Sequence, residues 1–222
     1  LAIEHYVTFG FLEGRHDRSI APSAPSSLTN TSLGNDSTPT ITGTAEAGST
    51  VKLYNGSSLL GSSTANSNGA FSITSSALSD GNYSLTTTAT DSIGNTSAAS
   101  SALSITVDTT APSAPSSLTS SSSTGSDATP TITGTAEVGS TVKLYNGSTL
   151  LGSATADSNG TFTITSSTLN DGSYSLTATA TDASGNVSAS SDSLSLIIDS
   201  TAPSVAKKYF LIDGNVTGDV IF

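Results

Sequence analysis

Acidic side chains are the residues here whose types and spacing could do chemistry. Seventeen acids stand against six basic residues in 222, a formal charge of −11. Asp36, Glu46, Asp80, Asp91 and Asp108 each recur ninety-one residues on, as Asp127, Glu137, Asp171, Asp182 and Asp199. Lys52 and Lys143 are the only basic residues in these two stretches. Carboxylates that lack cationic partners suit a hard divalent cation. Ca²⁺ takes about six to eight oxygens in irregular geometry, whereas Mg²⁺ demands a near-octahedral shell. The plainer reading is that these acids are turn residues, because Asp tolerates turns and caps its own backbone.

Catalytic chemistry has little to stand on. His5 and His16 lie outside the repeated stretches, and there is no Cys. Their spacing is that of neither a zinc helix pair nor a triad. No Ser sits in a nucleophile elbow. Glu4, Glu13 and Asp17 form no acid–base pair, so no enzyme is expected. Triplets such as "NGS" match the glycosylation sequon, but a chain rich in Asn, Ser and Thr produces them by chance. Asn55-Gly56 and Asn146-Gly147 read instead as two-residue hairpin turns.

The elements that must position the acids repeat with them. "PTITGTAEAGSTVKLYNG" from Pro39 returns as "PTITGTAEVGSTVKLYNG" from Pro130. A period near ninety residues suits one sandwich domain per repeat rather than a solenoid coil. Val51 and Leu53 alternate with polar residues. So do Phe71 and Ile73, then Tyr83, Leu85 and Thr87, then Leu103, Ile105 and Val107. This is the period-two pattern of strands with one face buried. Leu28 marks strand A, Ile41 strand B, "STVKLY" and "SLLGSST" strand C and its successor, "GAFSITS" strand E, "YSLTTTAT" strand F and "ALSITV" strand G. A Tyr after the Asp80-Gly81 turn, opening strand F, has the placement of a tyrosine corner.

The boundaries follow. Residues 1–20 end a preceding helical segment; 21–110 and 111–201 are all-β sandwiches; 202–222 begin a further domain. With no Met at Leu1, the chain reads as a piece of something longer. Zero Cys across two domains favours a bacterial extracellular protein over a disulfide-stapled one. Six basic residues form no patch to displace counterions from phosphate, so nucleic acid is not an expected partner. No apolar run of about 18 residues is present, so no helical membrane span is expected.

"STPTITGTAEAGSTVKLYNG", "LSDGNYSLTTTATDSIGNTS" and "ITVDTTAPSAPS" resemble the bacterial immunoglobulin-like repeats of large biofilm-associated and secreted surface adhesins. The resemblance covers both repeats and implies extended stalks at the cell surface. "HYVTFGFLEGR" is similar to the end of a short helical repeat of secreted bacterial proteins. Several family members bind calcium at domain junctions, through a linker Asp and acids of neighbouring loops. The matching pieces are "VDTTAP" with Asp108, "IDSTAP" with Asp199 and the two "TATD…GN" loops. In the implied sandwich, Glu137 in loop B–C and Asp182 in loop F–G face back toward the first repeat. Asp108, Glu137 and Asp182 are therefore the expected calcium ligands, with Asp80 of the E–F turn a further one. Asp199 would serve the next junction. Asp91 and Glu46 would serve the one before, where Arg18 replaces the linker Asp. The expected function is a calcium-stiffened spacer, partnered by neighbouring repeats. The alternatives are a glycan- or ligand-binding module and the stalk of a secreted enzyme. Three aromatics per repeat, two of them facing inward, weigh against the glycan module.

Overall fold

The computed structural model describes residues 20–121, 125–202, 208–212 and 215–220. The expected helix within residues 1–20 lies outside the described residues, save for Ile20. Every regular element described is a strand. The first repeat runs β1 (Ser26–Asn30), β2 (Thr40–Thr44), β3 (Thr50–Asn55), β4 (Ser58–Thr64), β5 (Ala70–Thr74), β6 (Gly81–Thr90) and β7 (Leu103–Val107). The second repeats the order as β8 (Ser116–Ser120), β9 (Thr131–Thr135), β10 (Thr141–Asn146), β11 (Thr149–Thr155), β12 (Thr161–Thr165), β13 (Gly172–Thr181) and β14 (Leu194–Ile198). A hairpin of β15 (Lys208–Ile212) and β16 (Asn215–Val220) follows.

Each repeat builds two antiparallel sheets. In the first they are β1-β2-β5 and β4-β3-β6-β7, and in the second β8-β9-β12 and β11-β10-β13-β14. The alternation explains the split. Ile41, Val51, Leu53, Phe71, Ile73 and Leu85 turn inward and form one core. Ile132, Val142, Leu144, Phe162, Ile164 and Leu176 form another. A Leu, Ile or Phe buried this fully stabilises its sandwich by about 1.5–3 kcal/mol. The outward residues of β2 and β5 are Thr, Ser and Ala. Thr29–Thr42 and Thr40–Thr74 hydroxyl pairs cross that face at 2.8 and 3.0 Å.

Two local details differ from simple patterning. The β3–β4 turn sits one residue later than Asn55-Gly56. Asn55 pairs with Ser58, so Gly56 and Ser57 make the turn. Gly56 has φ +58, and Asn55 is not in the left-handed region. A turn with Gly first and a left-handed φ there only is the II′ form. Strand β1 carries a bulge between Ser26 and Thr29, with Ser27 at φ +55. Ser117 repeats it in β8. Such a bulge twists an edge strand away from foreign pairing.

Strand β6 is twice as long as β7, and the surplus is covered by residues 96–100. Ser97 and Ser100 donate their backbone N–H to Ala89 and Thr87 carbonyls. Their hydroxyls accept from the Ala89 and Thr87 N–H groups at 2.9 and 3.0 Å. Each hydroxyl then donates to the next residue's carbonyl. Ser188 and Ser191 do the same on β13. A side-chain oxygen thus replaces a missing strand carbonyl, and the buried amides stay satisfied.

Candidate functional site

The acids sit at the ends of these strands and divide into two kinds. Asp36, Asp127 and Asp157 close local turns, each accepting the N–H of the residue two further on. Asp91 accepts from the N–H of Ile93 and from both the N–H and the side chain of Asn95. Burial pushes the Asp91 carboxyl up, but these bonds outweigh it and leave it below the usual carboxylate range.

Asp80 is different. It ends the β5–β6 turn, where Tyr83 Oη donates to Ser79 O at 2.8 Å. The same bond joins Tyr174 to Asn170 O. The tyrosine corners expected from sequence are therefore present in both repeats. Gly81 follows at φ +154, a conformation open to glycine. It turns the chain so that the Asp80 carboxylate meets residues far along the sequence. Thr109 donates to Oδ1 from N–H and hydroxyl at 2.8 and 2.7 Å, and Thr110 Oγ1 donates to Oδ2 at 2.6 Å. In the second repeat Asp171 accepts from the N–H and hydroxyl of Ser200 at 2.8 and 2.6 Å, and from the Thr201 hydroxyl. The side chains of Ser200 and Thr201, then the Ser200 amide, hold the Asp171 carboxyl down at about 2. The Thr110 hydroxyl and the Thr109 amide and hydroxyl lower Asp80 likewise.

The remaining sequence-predicted ligands are placed as follows. The chain divides into two compact units, Leu1–Thr110 with Ala183–Asn186, and Ala111–Asp182 with Val187–Phe222. In the first, Asp108 is half-buried just past β7. Its N–H donates to Gly34 O at 2.9 Å. Its Oδ1 accepts the Thr110 N–H at 3.2 Å, and its Oδ2 accepts the Ser184 hydroxyl at 3.1 Å. The Asn186 side-chain amide donates to its main-chain oxygen at 2.7 Å. Asp199 is exposed and accepts the Thr201 N–H at 3.3 Å. Glu46 and Glu137 are exposed in the loops after β2 and β9. Glu137 lines an open surface depression with Ser113, Ala114, Ser116, Thr135 and Ala136. Asp182 is half-buried just past β13. Within neither unit do three or more His, Cys, Asp or Glu side chains gather as a metal-holding group among the described residues. Nor is any described helix long and apolar enough to cross a membrane.

Sequence reasoning missed two sets of working residues. Thr109, Thr110, Ser200 and Thr201 read as linker, yet they donate to a carboxylate. Ser97, Ser100, Ser188 and Ser191 were given no role from sequence, and their three-residue spacing was the available signal.

Paired antiparallel sheets, a tyrosine corner and a repeated seven-strand order define tandem immunoglobulin-like sandwiches. The chain belongs to the bacterial Ig-like domain family, whose model matches residues 19–109 and again 111–200. Among solved structures, the BSP domain of a biofilm-associated protein is 26% identical over 79% of this chain, with a TM-score of 0.33. The chain spans 30% of that structure. Fibronectin(III)-like modules of Clostridium thermocellum CbhA are 19% identical over 77% of this chain and 93% of theirs, with a TM-score of 0.49. No curated protein is recognisably similar to the chain.

Proposed function

We propose that the two repeats are spacer modules of a bacterial adhesin, displayed at the cell surface or secreted. One observation carries this: each repeat closes its own core, and the same order of elements follows immediately in the next. Such modules add length without needing a partner, which is what a stalk requires. The membership in the bacterial Ig-like family and the biofilm-associated neighbour support the surface setting. An antibody against residues 21–201 should label intact cells of the source bacterium. Deleting one repeat from the full-length protein should shorten the projection and leave the adhesion target unchanged. Labelling confined to permeabilised cells would overturn the surface reading.

Calcium is the finer part of the proposal. The donor set is all oxygen, as Ca²⁺ prefers. Asp108 fits best, because its carboxylate makes only long bonds of 3.1 and 3.2 Å to neutral donors. Asp80 fits poorly, because both its oxygens are engaged. Glu137 and Asp182 are proposed alongside Asp108, with Asp199, Asp91 and Glu46 in the corresponding positions of neighbouring junctions. Bound calcium would supply positive charge among these carboxylates. Calorimetric titration of the chain should show saturable binding that is lost in an Asp108→Ala, Asp182→Ala double variant. Flat titration of the wild type would remove calcium and leave the spacer reading standing.

A further inference from the structure

We propose that Asp80 and Asp171 are exit clamps, which hold the first two linker residues, Thr109 and Thr110 or Ser200 and Thr201, to the sandwich they leave. The observation is reach. The turn-closing Asp36, Asp127 and Asp157 bond residues two to four positions away. Asp80 bonds residues 29 and 30 positions away, and so does Asp171. A residue kept merely to make its own turn has no need of such partners.

The geometry shows why a side chain is used. The β6–β7 ladder ends at the pair Gly81 and Val107. Beyond it the chain runs on as Asp108, Thr109 and Thr110, with no strand residue opposite to receive its N–H. The Asp80 carboxylate stands in that place and extends the ladder. Oδ1 takes the Thr109 amide and hydroxyl, and Oδ2 takes the Thr110 hydroxyl. Bonds to an ionised acceptor are stronger than neutral ones. The Tyr83 hydroxyl bond to Ser79 O fixes the residue just before Asp80 and so helps to hold the carboxylate in place. All the parts recur. Asp171 follows the Tyr174-bonded Asn170, and it takes Ser200 and Thr201 across the end of the Gly172 and Ile198 pair. Ser200 replaces Thr109 and keeps the hydroxyl. The two bond sets are the same although the residues are not.

Its use in transmitting load along an array rests on the spacer reading, but the clamp itself is local. The test is local too. The ¹⁵N-labelled 222-residue chain is studied by NMR in a chelator, so that calcium plays no part. In the wild type the Thr109 and Ser200 amides should be protected from hydrogen exchange, with heteronuclear NOEs at 109–110 and 200–201 close to strand values. Asp80→Ala should speed Thr109 exchange at least about tenfold, roughly the loss of one hydrogen bond. It should lower the NOEs at 109–110 and leave 200–201 unchanged. Asp171→Ala should do the reverse. Should Asp80→Ala fail to fold, a Thr109→Ala, Thr110→Val double variant removes both hydroxyl donors, leaves the Thr109 amide bond in place, and should give a smaller loss of order in the same direction. Wild-type exchange at free-peptide rates, or unchanged NOEs in both kinds of variant, would overturn the clamp without touching the spacer reading.

Discussion

Thr87 lies fully buried on the inner face of β6, and its hydroxyl has no hydrogen-bond partner. Ser63 Oγ on β4 is in the same state. The second repeat puts Ala178 and Ala154 at these two positions, so it carries neither orphaned hydroxyl. A buried polar group without a partner costs about 1–3 kcal/mol. Thr87→Val keeps the shape and the β-branch while removing the oxygen. It should stabilise the first repeat by about 1–2 kcal/mol in urea unfolding. Ser63→Ala should add a smaller gain. A loss of stability in Thr87→Val would show that the hydroxyl is satisfied in solution. The tyrosine corner gives the opposite sign. Tyr83→Phe deletes a 2.8 Å bond to Ser79 O and should cost about 0.5–1.5 kcal/mol. A neutral result would reduce Tyr83 to core packing.

At the scale of the element, strands were the most legible part of the sequence and connections the least. Alternation at Val51, Leu53, Phe71 and Ile73 is a property of each strand alone, so a window of residues reveals it. The Tyr83 corner was legible because turn and tyrosine are neighbours in sequence. The partners of Asp80 were not, because they lie 29 and 30 residues away and are ordinary threonines. The β3–β4 turn was misplaced by one residue, because Asn-Gly is a strong turn signal. The pairing of Asn55 with Ser58 put Gly56 first instead. The exit turns also carry a pH dependence. The Asp171 carboxyl is held at about 2, against an ordinary 3.8. A folded value below the unfolded one means stabilisation at neutral pH that is lost as pH falls through the folded value. Between pH 3.8 and about 2 the second repeat should therefore weaken with acid. In Asp171→Asn that part of the slope should vanish. An equally steep acid profile in the variant would assign the slope to other carboxylates.

At the scale of the molecule, two cores of unequal quality share one chain. The cores have no residue in common: one is drawn from positions 28–107 and the other from 118–198. Each sandwich also satisfies its own long β6 or β13 edge through its own pair of serines. Unfolding should then occur as two separable transitions rather than one. Their order follows from the packing. In the second repeat Leu151 and Leu169 are buried members of the core, whereas their counterparts Leu60 and Leu78 only pack against the first. The second repeat also has Ala178 where the first buries the unsatisfied Thr87. Both differences favour the second repeat, so the first should melt at the lower temperature. Scanning calorimetry of the chain should resolve two peaks, and Thr87→Val should raise only the lower one. If Thr87→Val moves both peaks together, or moves the upper one, the repeats do not unfold as independent units in this order.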